Sequence, residues 1–192
     1  LREAGYRNGR LSDDVLLTVD AGTNERCHLE SDAAVAWELL ILAAEHDGVT
    51  GFAAGWCYRS LEQQKRTFDR NCPWVTDPAP PVEEGEEPLP APPPRRVCKV
   101  PTAKPGTSNH GWGRAIDVVD TTTRKAHILT CGDPQFAWLK ENGSRFGWVL
   151  PRWARCGNWS QEPWHFEWAG LSIPLTELII IERAARGAEI PH

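Results

Sequence analysis

Residues 108–119 read SNHGWGRAIDVV, and the architecture is legible from this stretch outward. Gly111 and Gly113 allow a sharp turn. From Arg114 to Val119 the pattern is that of a short strand, with Ala115, Asp117 and Val119 on one face and Ile116 and Val118 on the other. An imidazole on the loop, His110, and a carboxylate on the strand, Asp117, can therefore point at one atom. A third metal ligand comes from His165. Trp164 to Trp168 reads as another strand, with Trp164, Phe166 and Trp168 on one side and His165 and Glu167 on the other. Two histidines and one carboxylate with a fourth position left open is the catalytic pattern for Zn2+ rather than the structural one. Glu162, set off from His165 by Pro163, is placed to act as a base without being a ligand. Taken singly, each histidine could be an ordinary loop or sheet residue, Asp117 a cap or ion-pair partner, and Glu162 an exposed acid. The case rests on the combination.

Working outward, Ser31 is expected to cap a helix from Asp32 to His46, with Leu39, Leu42, Ala43 and His46 on one stripe and Gly48 as its stop. Val49 to Tyr58 is rich in strand formers. Ser60 and Gln63 then form a capping box for a second helix reaching Arg70, which sets Arg59 at a strand-to-helix junction. Asp133 and Pro134 start a helix over Gln135–Asn142 that stops at Gly143. Phe146 to Leu150 reads as a strand, and a last helix is expected over Thr176–Arg186. The fold class is α+β: a small, mainly antiparallel sheet flanked by helices, with the metal site at one edge.

The chain has 192 residues, 41% of them hydrophobic and 24% charged, which fits one domain over residues 1–192 with a core of ordinary size. No apolar run approaches the ~20 residues of a membrane helix, so no transmembrane segment is expected. The net charge of −5 argues against nucleic acid as a partner, since a phosphate backbone calls for a basic face. Between Asp77 and Arg96 lie eight of the sixteen prolines, five acids and two arginines. This Pro/Glu-rich segment, 77–96, is an extended surface insert rather than a core element. Six cysteines without a C-x-x-C pair argue against structural zinc and dithiol chemistry and for disulfides. The protein is therefore expected to be secreted or to reside in the cell envelope, and Leu1 in place of Met is what a trimmed exported domain would show. A Cys72–Cys98 bridge would clip the ends of the insert together. Cys131–Cys156 is the next expected pair.

Ser108 to Asp117 also reads S-x-H-x-x-G-x-A-x-D, Glu162-Pro163-Trp164-His165 follows downstream, and Tyr58-Arg59-Ser60 with Gln64 precedes both. In this order the three segments closely resemble the VanY-like zinc D-alanyl-D-alanine carboxypeptidases, peptidoglycan peptidases of the hedgehog/D,D-peptidase fold. The likeness spans roughly Ser31 to Gly170, interrupted by the insert. It implies that His110, Asp117 and His165 bind one Zn2+, that Glu162 is the catalytic base and later proton donor, and that Arg59 steadies the oxyanion or a substrate carboxylate. A guanidinium fixed at a helix start suits that role. Ser108, Gln64 and Tyr58 would bind substrate or support the site, and Trp112 and Trp164 are the expected walls.

The function so implied is hydrolysis of peptidoglycan stem peptides, with removal of the terminal D-Ala from a D-Ala-D-Ala end, by a monomer. One rival is an endopeptidase cutting an L-Ala-D-Glu or cross-bridge bond with the same ligands. Another is a non-catalytic cell-wall-binding domain, against which the presence of both Glu162 and Arg59 counts.

Overall fold

The computed structural model describes residues 1–20, 27–82, 85, 87, 89–122, 125–171, 174 and 176–179. In chain order it contains β1 (Leu16–Val19), β2 (Cys27–Glu30), α1 (Ser31–His46), β3 (Phe52–Trp56), α2 (Leu61–Asn71), β4 (Trp74–Val75), β5 (Arg95–Arg96), β6 (Ala115–Asp120), β7 (His127–Ile128), α3 (Pro134–Asn142), β8 (Trp148–Val149) and β9 (His165–Trp168). The central sheet runs β3-β6-β9-β8, with β7 paired to the end of β6, and every pairing is antiparallel. β1 and β2 form a separate antiparallel pair, as do β4 and β5. The expected α+β class with an antiparallel sheet and flanking helices is the observed one.

The alternation along β6 separates core from site. Ile116 and Val118 join Trp37, Leu40, Phe146, Trp148 and Phe166 in the core under α1 and α3, all nearly or fully buried. Each such side chain contributes about 1.5–3 kcal/mol relative to exposure. Asp117 on the opposite face turns to a cleft. β9 repeats the device: Phe166 and Trp168 enter the core, while His165 and Glu167 face the cleft. Because the register places Asp117 opposite His165, the two sit side by side.

Helix α1 differs in its start. Ser31 is its first residue, and the cap is Glu30, whose buried carboxylate accepts from the Ala33 amide at 3.3 Å. Ser31 instead donates its hydroxyl to the Val15 carbonyl at 3.2 Å. A buried acid that also pairs with Arg114 at 3.5 Å outcompetes a serine engaged by the turn that precedes β1. The capping box of Ser60 and Gln63 forms as expected.

Cys72–Cys98 and Cys131–Cys156 are both bonded, and a third bridge joins Cys27 to Cys57. β4 and β5 close the base of the insert, whose described residues are otherwise exposed or nearly so. Of the helix expected over Thr176–Arg186, residues 176–179 are helical and the rest lies outside the described residues.

Candidate metal centre and cleft

The motif loop is held from three directions. After the 3-10 turn Asn109–Trp112, Gly113 takes φ +63°, a conformation that favours glycine. A β-carbon there would come within 2.7 Å of the Glu30 amide nitrogen, so the position is closed to larger residues. The His110 carbonyl accepts from the Arg59 amide at 3.0 Å, and the Gly9 amide donates to the Gly111 carbonyl at 2.6 Å while the Gly9 carbonyl accepts from Leu61. The side chain of Asn8 donates to the Ser108 carbonyl at 2.7 Å. The N-terminal segment thus ties the loop to α2.

His110, Asp117 and His165 converge, with one ligand atom from each lying within 4.8 Å of the others. Asp117 Oδ1 is 3.4 Å from His110 Nε2 and 3.0 Å from His165 Nδ1. The remaining ring nitrogens are engaged elsewhere: His110 Nδ1 lies 2.8 Å from the Cys57 carbonyl, and His165 Nε2 lies 3.1 Å from Glu167 Oε1. Oxygen partners on the far nitrogens would keep those nitrogens protonated once a metal displaces the proton shared with Asp117, leaving His110 Nε2 and His165 Nδ1 to present lone pairs to one point, as zinc-ligating histidines do. Two nitrogens, one oxygen and an open side toward the cleft fit a single zinc ion with a position left for water and substrate. A second close group, Asp120, His127 and Asp133, lies outside the cleft. There Asp120 and Asp133 are already occupied by Thr122 and Thr130, and His127 sits 3.7 and 3.6 Å from the two acids as an ion-pair partner.

The electrostatics favour a cation. Burial opposes ionisation of Asp117, but His110 and His165 hold its carboxyl well below the usual range. Burial alone would keep the His165 ring neutral, yet its hydrogen bonds to Asp117 and Glu167, and their charges, raise it to about 9. At Glu162 burial pushes the carboxyl up against the pull of His165. Asp117 adds to the rise and Arg59 opposes it.

The centre opens into a cleft of about 880 Å³ that Arg59, Ser108, Glu162 and Trp164 also line. Gln64 and Tyr58 are placed differently. Gln64 is buried, accepts from Arg59 Nη1 at 3.0 Å and donates to the Ala103 carbonyl at 2.6 Å, so it positions Arg59 rather than facing the cleft. The Tyr58 hydroxyl accepts from the Leu11 amide at 3.1 Å and anchors the N-terminal segment. Trp112 is not a wall of this cleft. It lines a smaller pocket with Trp168 and lies 5.1 Å beneath the Arg2 guanidinium, because the turn that aims His110 inward aims its second neighbour away.

Sequence reasoning missed Glu167 as a supporting residue and Trp56 as a cleft residue; Trp153 and Trp159, which also line the cleft, belong to the seven tryptophans clustered between Trp112 and Trp168 but are not singled out by their sequence. The Trp153 ring is 5.1 Å from that of His165. The signal for Glu167 was its alternation with His165 on one strand face. Nothing in the local pattern distinguished Trp153.

The family model of VanY, D-alanyl-D-alanine carboxypeptidase, matches residues 26–171. The chain belongs to this family. A D-alanyl-D-alanine carboxypeptidase of Enterococcus faecalis is 28% identical over 132 residues, covering 67% of this chain but 44% of that protein, so the chain spans less than half of that relative's length. Among solved structures, VanYB in complex with D-Alanine-D-Alanine aligns with a TM-score of 0.53 at 20% identity, over 90% of this chain and 84% of that one. The LdcB LD-carboxypeptidase aligns with a TM-score of 0.59 at 19% identity, over 92% and 76%. These two share the VanY-family fold.

Proposed function

We propose that the protein is a zinc-dependent D-Ala-D-Ala carboxypeptidase that removes the terminal D-Ala from peptidoglycan stem peptides. The observation that carries this is the convergence of His110 Nε2, Asp117 Oδ1 and His165 Nδ1 at the floor of a cleft that also holds Glu162 and Arg59. When bound, zinc polarises the scissile carbonyl and acidifies water.

Glu162 accepts a proton from the attacking water on a carboxylate oxygen and returns it to the leaving amine nitrogen as the C–N bond breaks. Its raised proton affinity suits both steps. Its position is set by the hydrogen bond from its amide to the Ala154 carbonyl at 2.9 Å and by its own carbonyl accepting from the His165 amide at 2.9 Å. Arg59, steered by Gln64, offers its guanidinium to the developing oxyanion or to the carboxylate of the departing residue. Trp153 packs its ring beside His165, and Trp164 also lines the cleft.

The protein acts as one zinc peptidase domain with a surface insert, as a monomer, outside the reducing cytosol. Three disulfides among the described residues support the compartment. Among those residues no helix is long and apolar enough to cross a membrane. Incubation with a defined pentapeptide stem, with and without a chelator, tests the function by product mass. Release of one alanine only when metal is present is expected. An internal cut would replace the carboxypeptidase by an endopeptidase, and an intact substrate with retained wall binding would overturn the enzyme.

A further inference from the structure

We propose that Arg70 recognises a second carboxylate of the substrate, upstream of the cut, and makes the protein selective for stem peptides that carry a free acid there. The inference rests on the proposed function and names which stems it prefers.

Two guanidinium groups line the cleft, Arg59 and Arg70. Arg59 stands just before the Ser60 cap of α2, and Arg70 is in the last turn of the same helix. From Leu61 to Arg70 the axis rises about 14 Å at 1.5 Å per residue. Arg59 occupies the zinc end, its amide bonded to the His110 carbonyl. Arg70, at the other end of the helix, lines the cleft together with residues 100–103.

Among the described residues no acid pairs with Arg70. The nearest acids in sequence are taken: Asp69 by Arg96, and Asp77 by Arg95 at 2.8 Å. The hydrogen bond of Arg70 is a long one, Nε to Asn71 Oδ1 at 3.4 Å. The wall that carries it is built to stay in place. Cys72 is bridged to Cys98, Asn71 donates to Thr102 Oγ1 at 3.0 Å, and the Asn71 carbonyl accepts from Lys99 at 2.9 Å. A planar fork of donors on a rigid wall, with no acid paired to it among the described residues, suits a carboxylate.

An extended peptide advances about 3.3 Å per residue, so the span corresponds to about four residues counted back from the terminal one. In a pentapeptide, position 2 lies three residues back, about 10 Å, and position 3 two back, about 7 Å. The γ-linkage adds two bonds to the path to the α-carboxylate of D-glutamate at position 2, and a diaminopimelate at position 3 carries its acid at the end of a long side chain, so either acid can reach toward Arg70.

The test uses three pentapeptides: one with D-glutamate at position 2 and lysine at 3, one with the D-glutamate amidated, and one amidated at 2 with diaminopimelate at 3. Wild type should favour one acid-bearing peptide over the neutral one by about tenfold in kcat/KM, chiefly through KM, and Arg70→Gln should reduce that ratio to within about twofold. The ratio is the readout, so a general loss of stability does not imitate it. Equal rates on all three peptides, or a preference that survives Arg70→Gln, would overturn the proposal. If wild type cleaves none of them, the carboxypeptidase itself fails. Calorimetric binding of the same peptides to Glu162→Gln, with and without Arg70→Gln, then decides the role of Arg70 by the same ratio.

Discussion

The roles proposed for single side chains at the centre divide into holding the metal and moving protons, and variants separate the two. Glu162 lies in the cleft but outside the ligand triad. Glu162→Gln should therefore bind zinc as wild type does while kcat falls about 10²- to 10⁴-fold, the usual range for removing a general base. His165→Ala should lose zinc and turnover together. Metal content measured beside the rate checks both, and a fully active Glu162→Gln would remove the assignment of the base. Glu167 tests the ring-orienting contact instead. Its 3.1 Å contact fixes which nitrogen of His165 faces Asp117, so Glu167→Gln should weaken zinc affinity by about 10- to 100-fold. Competition with a chromogenic chelator reads this directly, and an unchanged affinity would assign Glu167 to the cleft surface alone.

The elements show what local sequence can and cannot reveal. His110, Asp117 and His165 were legible because the turn glycines and the period-two alternation of β6 and β9 are local signals, and the α2 capping box was legible for the same reason. Glu30 as the cap of α1, the β1–β2 pair and the Cys27–Cys57 bridge depend on contacts between distant segments, and no spacing announces them. Trp112 shows the limit of a motif: adjacency to His110 in sequence placed it in another pocket, whereas Trp153 reached the metal side through the fold of the 152–162 loop. The missed bridge also has a consequence for the site, because the Cys57 carbonyl is the partner of His110 Nδ1. Replacing both Cys27 and Cys57 by Ser should cost about 2–5 kcal/mol of stability and also weaken zinc binding. Replacing Cys72 and Cys98 should loosen the Arg70 wall and leave zinc affinity near wild type. Thermal melts and zinc titrations of the two double variants make the comparison, and equal losses of zinc affinity would remove the special role of the Cys57 carbonyl.

At the scale of the whole molecule, the net charge of −5 says little about the substrate. The insert at 77–96 contributes −3, from two arginines against five acids, which leaves −2 for the rest of the chain. What matters is where charge is placed: a carboxylate-rich floor that suits a cation, and two guanidiniums spaced along one wall that suit the acids of a peptide. The fold supplies this by setting β6 and β9 in register beside α2, so that the ligand triad, Glu162 and the two arginines surround one cleft. The proposed activity requires a single zinc ion acting with Glu162 at that cleft. Its most direct test is to titrate metal-depleted protein with Zn2+ while measuring D-Ala released from a pentapeptide stem. The release rate should rise from zero and level off at one equivalent of zinc, with the tetrapeptide as the only other product. A rate independent of zinc, or an internal cut at saturation, would contradict it.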